Sequence, residues 1–428
     1  MTATARVLAE WAHELEPTAE DLSLADRSLL DTVAVTLAAR DHPVTKIAAS
    51  LSEAGRWATA GHVLDFDDLH MPSTTHISAV CVPAALAAGG SARAYLAAAG
   101  VMSRLGTALG WPHYSAGWHA TCTAGAPAAA AGAAVAHGLD AGQIATAIAL
   151  AVPAAGGLQR AFGTDAKSLQ VGFAVEAGLR AATLAADGAS ADDTVLDAWL
   201  PLVSGVRAGP VRAGTGPAGT GPAGTGPASP DLHGVDTSGL DMSGPAIPDG
   251  LAVKIYPCCY ALQRPISALA GLADAAGLDP ADVRRIELRT PEATVVPLIH
   301  HRPDTGLQGK FSLEYAAAAA LLDRYPGFAS FTDDAVRRDA ARRLAALVET
   351  TLVPGGDGLL DGELQVRIHT GNDCVHDAAL AFPPGSPARP PTSGQLSGKL
   401  ADCLTGLDTD WSAWTWQNAA DVLRRFMP

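Results

Sequence analysis

The sequence predicts a mostly α protein, an all-α helical bundle domain joined to a smaller α+β domain. Three observations carry this reading. Ala- and Gly-rich segments with apolar residues at three and four spacing follow cap residues through the first half. Two short segments, near residues 286 and 366, alternate apolar and polar positions instead. Charged residues make up 17% and aromatics 5% against 48% hydrophobic, a balance that suits closely packed Ala-rich helices and not a disordered chain.

Taken in order, the start MTATARVLAEWAHELEPTAEDL reads as a charged helix and lacks the basic start and apolar run of a signal peptide, so a cytoplasmic protein is expected. Ser23 and Asp26 read as a capping box opening LADRSLLDTVAVTLAAR. The uncharged stretch from Leu105 to Leu139 is long enough to suggest a membrane span. It holds Pro112, His113, His119 and Pro127 among many Ala and Gly, so a buried helix with an entry loop is the better reading. Asp140 and Gln143 cap AGQIATAIALAV, and Ala174 to Ala186 forms another helix with Gly at close-packing positions. Residues 1–265 are therefore expected to form the bundle. Within them, residues 207–232 break the pattern: AGTGP repeats in register from Ala213 to Pro227, has nothing to bury and is expected to be a mobile insertion.

Residues 266–395 change character to mixed α and β. Asp-Pro-Ala-Asp at 279–282 starts a short helix, RIELRT points Ile286 and Leu288 inward, and ELQVRIHT does the same with Leu364, Val366 and Ile368. Between them Thr332 caps DDAVRRDAARRLAALV, with Val336, Ala340, Leu344 and Leu347 on one face. Residues 396–428, with Trp411, Trp414 and Trp416, read as a helical segment returning to the bundle.

Composition excludes several function classes. The formal charge of −15 comes with no basic run, which argues against a nucleic-acid partner. The six cysteines include no CxxC pair and are expected to be reduced thiols in the core. No serine elbow, Walker loop or strand-linked GxGxxG is present, which argues against hydrolase, NTPase or dinucleotide chemistry.

Four segments could carry chemistry. HVLDFDDLHMPSTTH, residues 62–76, holds His62, Asp65, Asp67, Asp68, His70 and His76. A metal site is one reading, although no HExxH or DxDxDG spacing supports it; carboxylates that cap a helix or pair with bases are the other. His76 precedes the apolar helix ISAVCVPAALAA, where a positive helix end lowers a histidine pKa and attracts anions. His119 likewise precedes a small-residue helix, and a satisfied core histidine is the competing reading. Lys167 lies ahead of a Gly-spaced helix in surroundings almost free of charge, so it either snorkels out or faces a polar cavity. Lys254, Cys259 and Arg264 surround a Tyr-Pro turn. Together these supply the cations to hold a small polycarboxylate and a histidine to take a proton from the carbon α to one carboxylate.

In these same residues the sequence resembles the MmgE/PrpD family, which includes 2-methylcitrate dehydratase, cis-aconitate decarboxylase and iminodisuccinate epimerase. HVLDFDDLHMPSTTH is similar to the family's H-x-x-D-F-D-D-T-H-x-P-S-x-x-H signature, and GWHATCTAGA, DAKSLQVGFAVEAGL, KIYPCC and GKFSLEYAAAAALL resemble later blocks in the family order. The resemblance implies a helical domain with an α+β lid domain, a homodimer, and an active site without metal or cofactor. It implies catalytic roles for Asp65, His76, His119, Lys167 and Lys254, and substrate contacts at Cys259, Leu69 and Arg264. Leu69 stands where the family usually has Thr, and Gln170 where a His commonly follows the lysine. The activity implied is dehydration of a small di- or tricarboxylate in the manner of 2-methylcitrate dehydratase. Decarboxylation of cis-aconitate-type acids, epimerisation α to a carboxylate, and a non-catalytic anion-binding member are the alternatives.

Overall fold

The computed structural model describes residues 3–204, 240–354, 358–359, 361–371 and 373–427. The AGTGP insertion lies outside the described residues. The first half forms ten helices among them: α1 Thr4–Glu14, α2 Ala19–Ala38, α3 Pro43–Ile47, α4 Glu53–Val63, α5 Ile77–Ala87, α6 Ala92–Ser115, α7 Ala120–Ala136, α8 Ala141–Ala151, α9 Ala166–Ala186 and α10 Val195–Val203. The helix expected after Ser23 starts earlier. Thr18 and Asp21 form the capping box, and Ser23 sits inside α2, where its hydroxyl accepts a hydrogen bond from Arg27 at 3.3 Å. Asp140 and Gln143 cap α8 as the spacing predicts.

The central helix α7 is buried on every side and packs against α5, α6, α8 and α9. Small residues make this possible: a β-carbon added at Gly178 of α9 would stand 2.5 Å from the Ala129 Cβ and 2.7 Å from the Ala126 carbonyl. The uncharged stretch noted above is the end of α6, a loop and α7. Among the described residues no helix is long and apolar enough to cross a membrane. Near its end α6 breaks at Gly110, whose φ of 60° redirects the chain so that Trp111 and Tyr114 follow on a separate turn.

A second hydrophobic core gathers around α11 Tyr260–Ala276 and α14 Leu313–Asp323. The short helices α12 Glu292–Val295 and α13 Gly306–Gly309 precede α14. Strands β1 Val283–Pro291, β2 Val348–Val353, β3 Leu364–Thr370 and β4 Val375–Leu380 form one sheet in the order β2-β1-β3-β4, with β1 parallel to β2 and the other pairs antiparallel. β1 and β3 bury Ile286, Leu288, Leu364, Val366 and Ile368, the residues the alternation points inward. The single helix expected after Thr332 is two, α15 Asp333–Arg337 and α16 Asp339–Ala345. Arg338 leaves the helical region, with ψ near 133°, where its guanidinium grips Asp323 through two bonds of 2.9 and 3.0 Å. Consequently Ala341 turns inward in place of Ala340. Finally α17 Ser393–Cys403 and α18 Ala419–Phe426 pack on α2, and Trp414 and Trp416 join the first core. The six cysteines form no disulfide among the described residues, and five of them are buried.

Candidate active site

The charged cluster collects where the two cores meet. The HVLDFDDLHMPSTTH segment leaves α4 at His62 and is pinned to residue 252 by a pair of backbone hydrogen bonds, Leu69 N to Ala252 O at 2.9 Å and Ala252 N to Leu69 O at 2.8 Å. That pairing brings Lys254, two residues further on, beneath Asp65. The Lys254 ammonium donates to the Asp65 carbonyl at 3.0 Å and to its Oδ1 at 3.2 Å, and lies 3.6 Å from Asp67 Oδ1. From the first turn of α9, Lys167 reaches the same Asp65 Oδ1 at 2.7 Å.

Two cations therefore face two carboxylates. Burial alone would raise both acids, but Lys167 and Lys254 hold Asp65 well below the usual carboxylate range. His62, His76 and Lys254 do the same for Asp67. Burial opposes the charge on Lys254, and Asp67 and Asp65 overcome it and raise its pKa.

The histidines stand at helix starts. His76 and His119 are the N-cap residues of α5 and α7, and the His76 amide donates to Thr121 Oγ1 at 3.1 Å, so the two helices begin side by side. Burial lowers the His76 pKa to about 4, against the pull of Asp67. Burial, with His62 and Lys167 nearby, holds His119 well below its ordinary value. Both rings are thus neutral near pH 7, and their partners decide which nitrogen carries the proton.

His76 Nδ1 lies 2.8 Å from the Asp68 carbonyl and 3.0 Å from Asp67 Oδ2. Both are acceptors, so Nδ1 bears the hydrogen and Nε2 keeps its lone pair. His62 makes the matching contact to Asp67 Oδ2 at 2.7 Å. His119 is the reverse case. Gln170 accepts the Leu158 amide on Oε1 at 3.0 Å and donates from Nε2 to the Leu158 carbonyl at 3.3 Å, which fixes its amide orientation. The same Nε2 lies 2.6 Å from His119 Nδ1, which must accept. The proton of His119 is therefore on Nε2, a buried nitrogen with no partner among the described residues.

These groups line one small, tight cavity whose wall includes Asp65, His76, Tyr114, His119, Lys167 and Cys259. Phe162, Phe311, Leu69 and Leu359 supply its apolar part. Asp65 and Thr74, both on this wall, have left-handed backbones with φ of 54° and 53°. The starts of α5, α7, α9 and α11 all converge here, and helix starts favour anions. Burial pushes the Cys259 thiol up to about 11, so it meets a ligand as a neutral group.

Of the residues singled out in the sequence, Asp65, Leu69, His76, His119, Lys167 and Cys259 reach the cavity wall. Lys254 is fully buried behind it. Arg264 is not brought to the wall: one turn into α11, its guanidinium bonds the carbonyls of Gly362 and Ala381 and the Thr294 hydroxyl, the placement of a residue that ties loops together. Asp68 and His70 serve structure, Asp68 by accepting from the Ser78 amide at 3.1 Å and His70 by bonding Ser73 and the Pro248 carbonyl. Tyr114, Phe162 and Phe311 were not singled out and had no sequence signal beyond being aromatics near these motifs. His62, Asp67 and His76 also bring three metal-binding atoms within 4.8 Å of one another. They fit a hydrogen-bonded relay better than an ion, because the Asp68 carbonyl requires a hydrogen on His76 Nδ1.

Residues 54–200 match the MmgE/PrpD N-terminal domain, and residues 256–423 match the MmgE/PrpD C-terminal domain. A search of curated proteins returns no match for the chain.

Proposed function

The chain belongs to the MmgE/PrpD family, whose members are generally enzymes of lyase type, and from that premise we propose that it eliminates water from a small hydroxy acid. The observation that carries the reading is the opposite protonation of two histidines on one cavity wall. His76 offers a lone pair on Nε2, oriented through Nδ1 by Asp67, and His119 offers an N–H on Nε2.

In the reaction this suggests, His76 removes the proton on the carbon α to a carboxylate. The C–H electron pair passes first onto that carboxylate as an enolate-like dianion, then forms the C=C bond as the C–O bond of the β-hydroxyl breaks, and His119 protonates the departing oxygen, so that water leaves. The Lys167 ammonium has three N–H donors, one of them on Asp65, and with the helix starts it is placed to hold the substrate carboxylate and the charge that builds on it. Of the three cations expected to cradle a polyanion, Lys167 alone is on the wall, which favours the dicarboxylate end of the expected range.

The same acid and base also suit epimerisation, in which His76 takes the proton from one face and His119 returns one to the other. Decarboxylation has no comparable support, since it needs no base. Proton NMR of the protein incubated with malate, citrate, 2-methylcitrate, cis-aconitate and related acids tests the proposal. Growth of vinylic signals with loss of substrate is expected; inversion without water loss favours epimerisation, and silence across the panel favours a binding protein.

A further inference from the structure

The inner cavity adjoins a second one. The two share Leu69, Thr74, Tyr260 and Leu359, and the outer space is the larger. Their chemistry differs sharply. The inner wall carries Lys167, Asp65 and two histidines, whereas the outer wall holds Met71, Pro72, Trp111 and Phe382, with Asp361 its single charged residue among the described residues. Trp111 stacks on Tyr114 of the inner wall, with ring centroids 5.3 Å apart, so the apolar surface is continuous from one space to the other. At the boundary the buried Tyr260 hydroxyl has no hydrogen-bond partner among the described residues, which marks a place where a ligand's polar atom is expected.

We propose that this vestibule is a subsite for an apolar arm on the substrate acid, an alkyl or aryl substituent lying against Leu69, Trp111 and Phe382 while the carboxylate sits at Lys167. The inference rests on reading the inner cavity as the reaction centre. A further carboxylate directed outward would meet mostly apolar side chains, with no Lys, Arg or His among the described residues of that wall to receive it. An alkyl chain there is removed from water, and each buried methylene is worth about a fourfold gain in affinity.

The test uses two matched series on the full chain. Malates carrying methyl, propyl, pentyl or benzyl at carbon 2 report turnover by proton NMR, and succinates with the same substituents, which lack a leaving group, report binding by calorimetry. Affinity for the succinates is expected to rise about threefold to fourfold per methylene, and Trp111→Ala or the half-exposed Phe382→Ser should flatten that slope with the melting temperature little changed. Equal or tighter binding of unsubstituted succinate, or an unaltered slope in both variants, overturns the subsite, as does absence of binding throughout. Chain-length-dependent binding without turnover of any malate leaves the subsite standing and removes the dehydratase reading. Turnover of short acids with no gain along the series does the opposite.

Discussion

The side-chain amide of Gln170 holds His119 in a single tautomer, donating to Nδ1 at 2.6 Å while the Leu158 backbone clamps both ends of the amide. A proton on Nε2 follows, on a buried nitrogen with no partner among the described residues, in a residue that lines the cavity. Gln170→Leu removes the amide donor, leaves the Cys122 thiol at 3.3 Å as the remaining contact of Nδ1, and loosens the choice of tautomer. The loss of one buried hydrogen bond to a reacting group is expected to lower kcat by about tenfold to a hundredfold with KM little changed. Gln170→His retains a donor and should restore part of the rate. Nitrogen NMR of the His119 ring reads the tautomer directly, which a purely structural role for Gln170 would not move.

His76 sets the acid limb of the pH profile. Burial brings its pKa to about 4, so the ring holds a free lone pair from neutral pH down to that point and loses it below. kcat/KM should stay level from pH 7 to about pH 5 and fall steeply below about pH 4. A limb near the ordinary histidine value of about 6.5 would assign the base elsewhere.

Lys254 and Lys167 share Asp65 but differ in their consequences. Lys254 is fully buried against Asp65 and Asp67 together, so Lys254→Met leaves Asp65 with Lys167 alone and Asp67 with histidines only, and is expected to cost about 3–5 kcal/mol of stability. In Lys167→Met the Asp65 carboxylate keeps Lys254, and the larger effect should be a KM raised by about tenfold to a hundredfold. Urea unfolding and steady-state kinetics on the two variants separate these outcomes.

Asp68 gives stability a pH dependence of its own. Burial raises its carboxyl to about 7 despite the bonds from Ser78. A folded-state pKa above the unfolded value near 3.9 means that its contribution is complete below about pH 4 and is lost as pH rises to about 7. The melting temperature should therefore fall between pH 5 and pH 8 on this account, and Asp68→Asn should flatten the fall.

How far the sequence is legible differs from element to element. β1 and β3 alternate because one face of each is buried, and the sequence shows it. The edge strands β2 and β4 bury little, so VETTLV and VHDAAL carry no such pattern and were not marked. Helix starts at His76 and His119 were legible because an imidazole directly precedes an apolar run. Which cation reaches the cavity was not: Arg264 lies one helical turn past Cys259, and the direction of α11 carries it toward Thr294 and away from the wall. Nor could spacing reveal the histidine tautomers, which depend on a backbone carbonyl eight residues before His76 and on Leu158, far along the chain from His119.

Hydrogen exchange in deuterated water separates the base from the acid in the pair His76 and His119. With a substrate acid found by the panel above, the α-hydrogen of recovered substrate and the rate of water loss are followed together by NMR. In His119→Gln the α-hydrogen should still exchange while elimination falls by about a hundredfold or more, and in His76→Gln both should be lost. Exchange that survives in His76→Gln and disappears in His119→Gln would contradict the account, because it would make His119 the base.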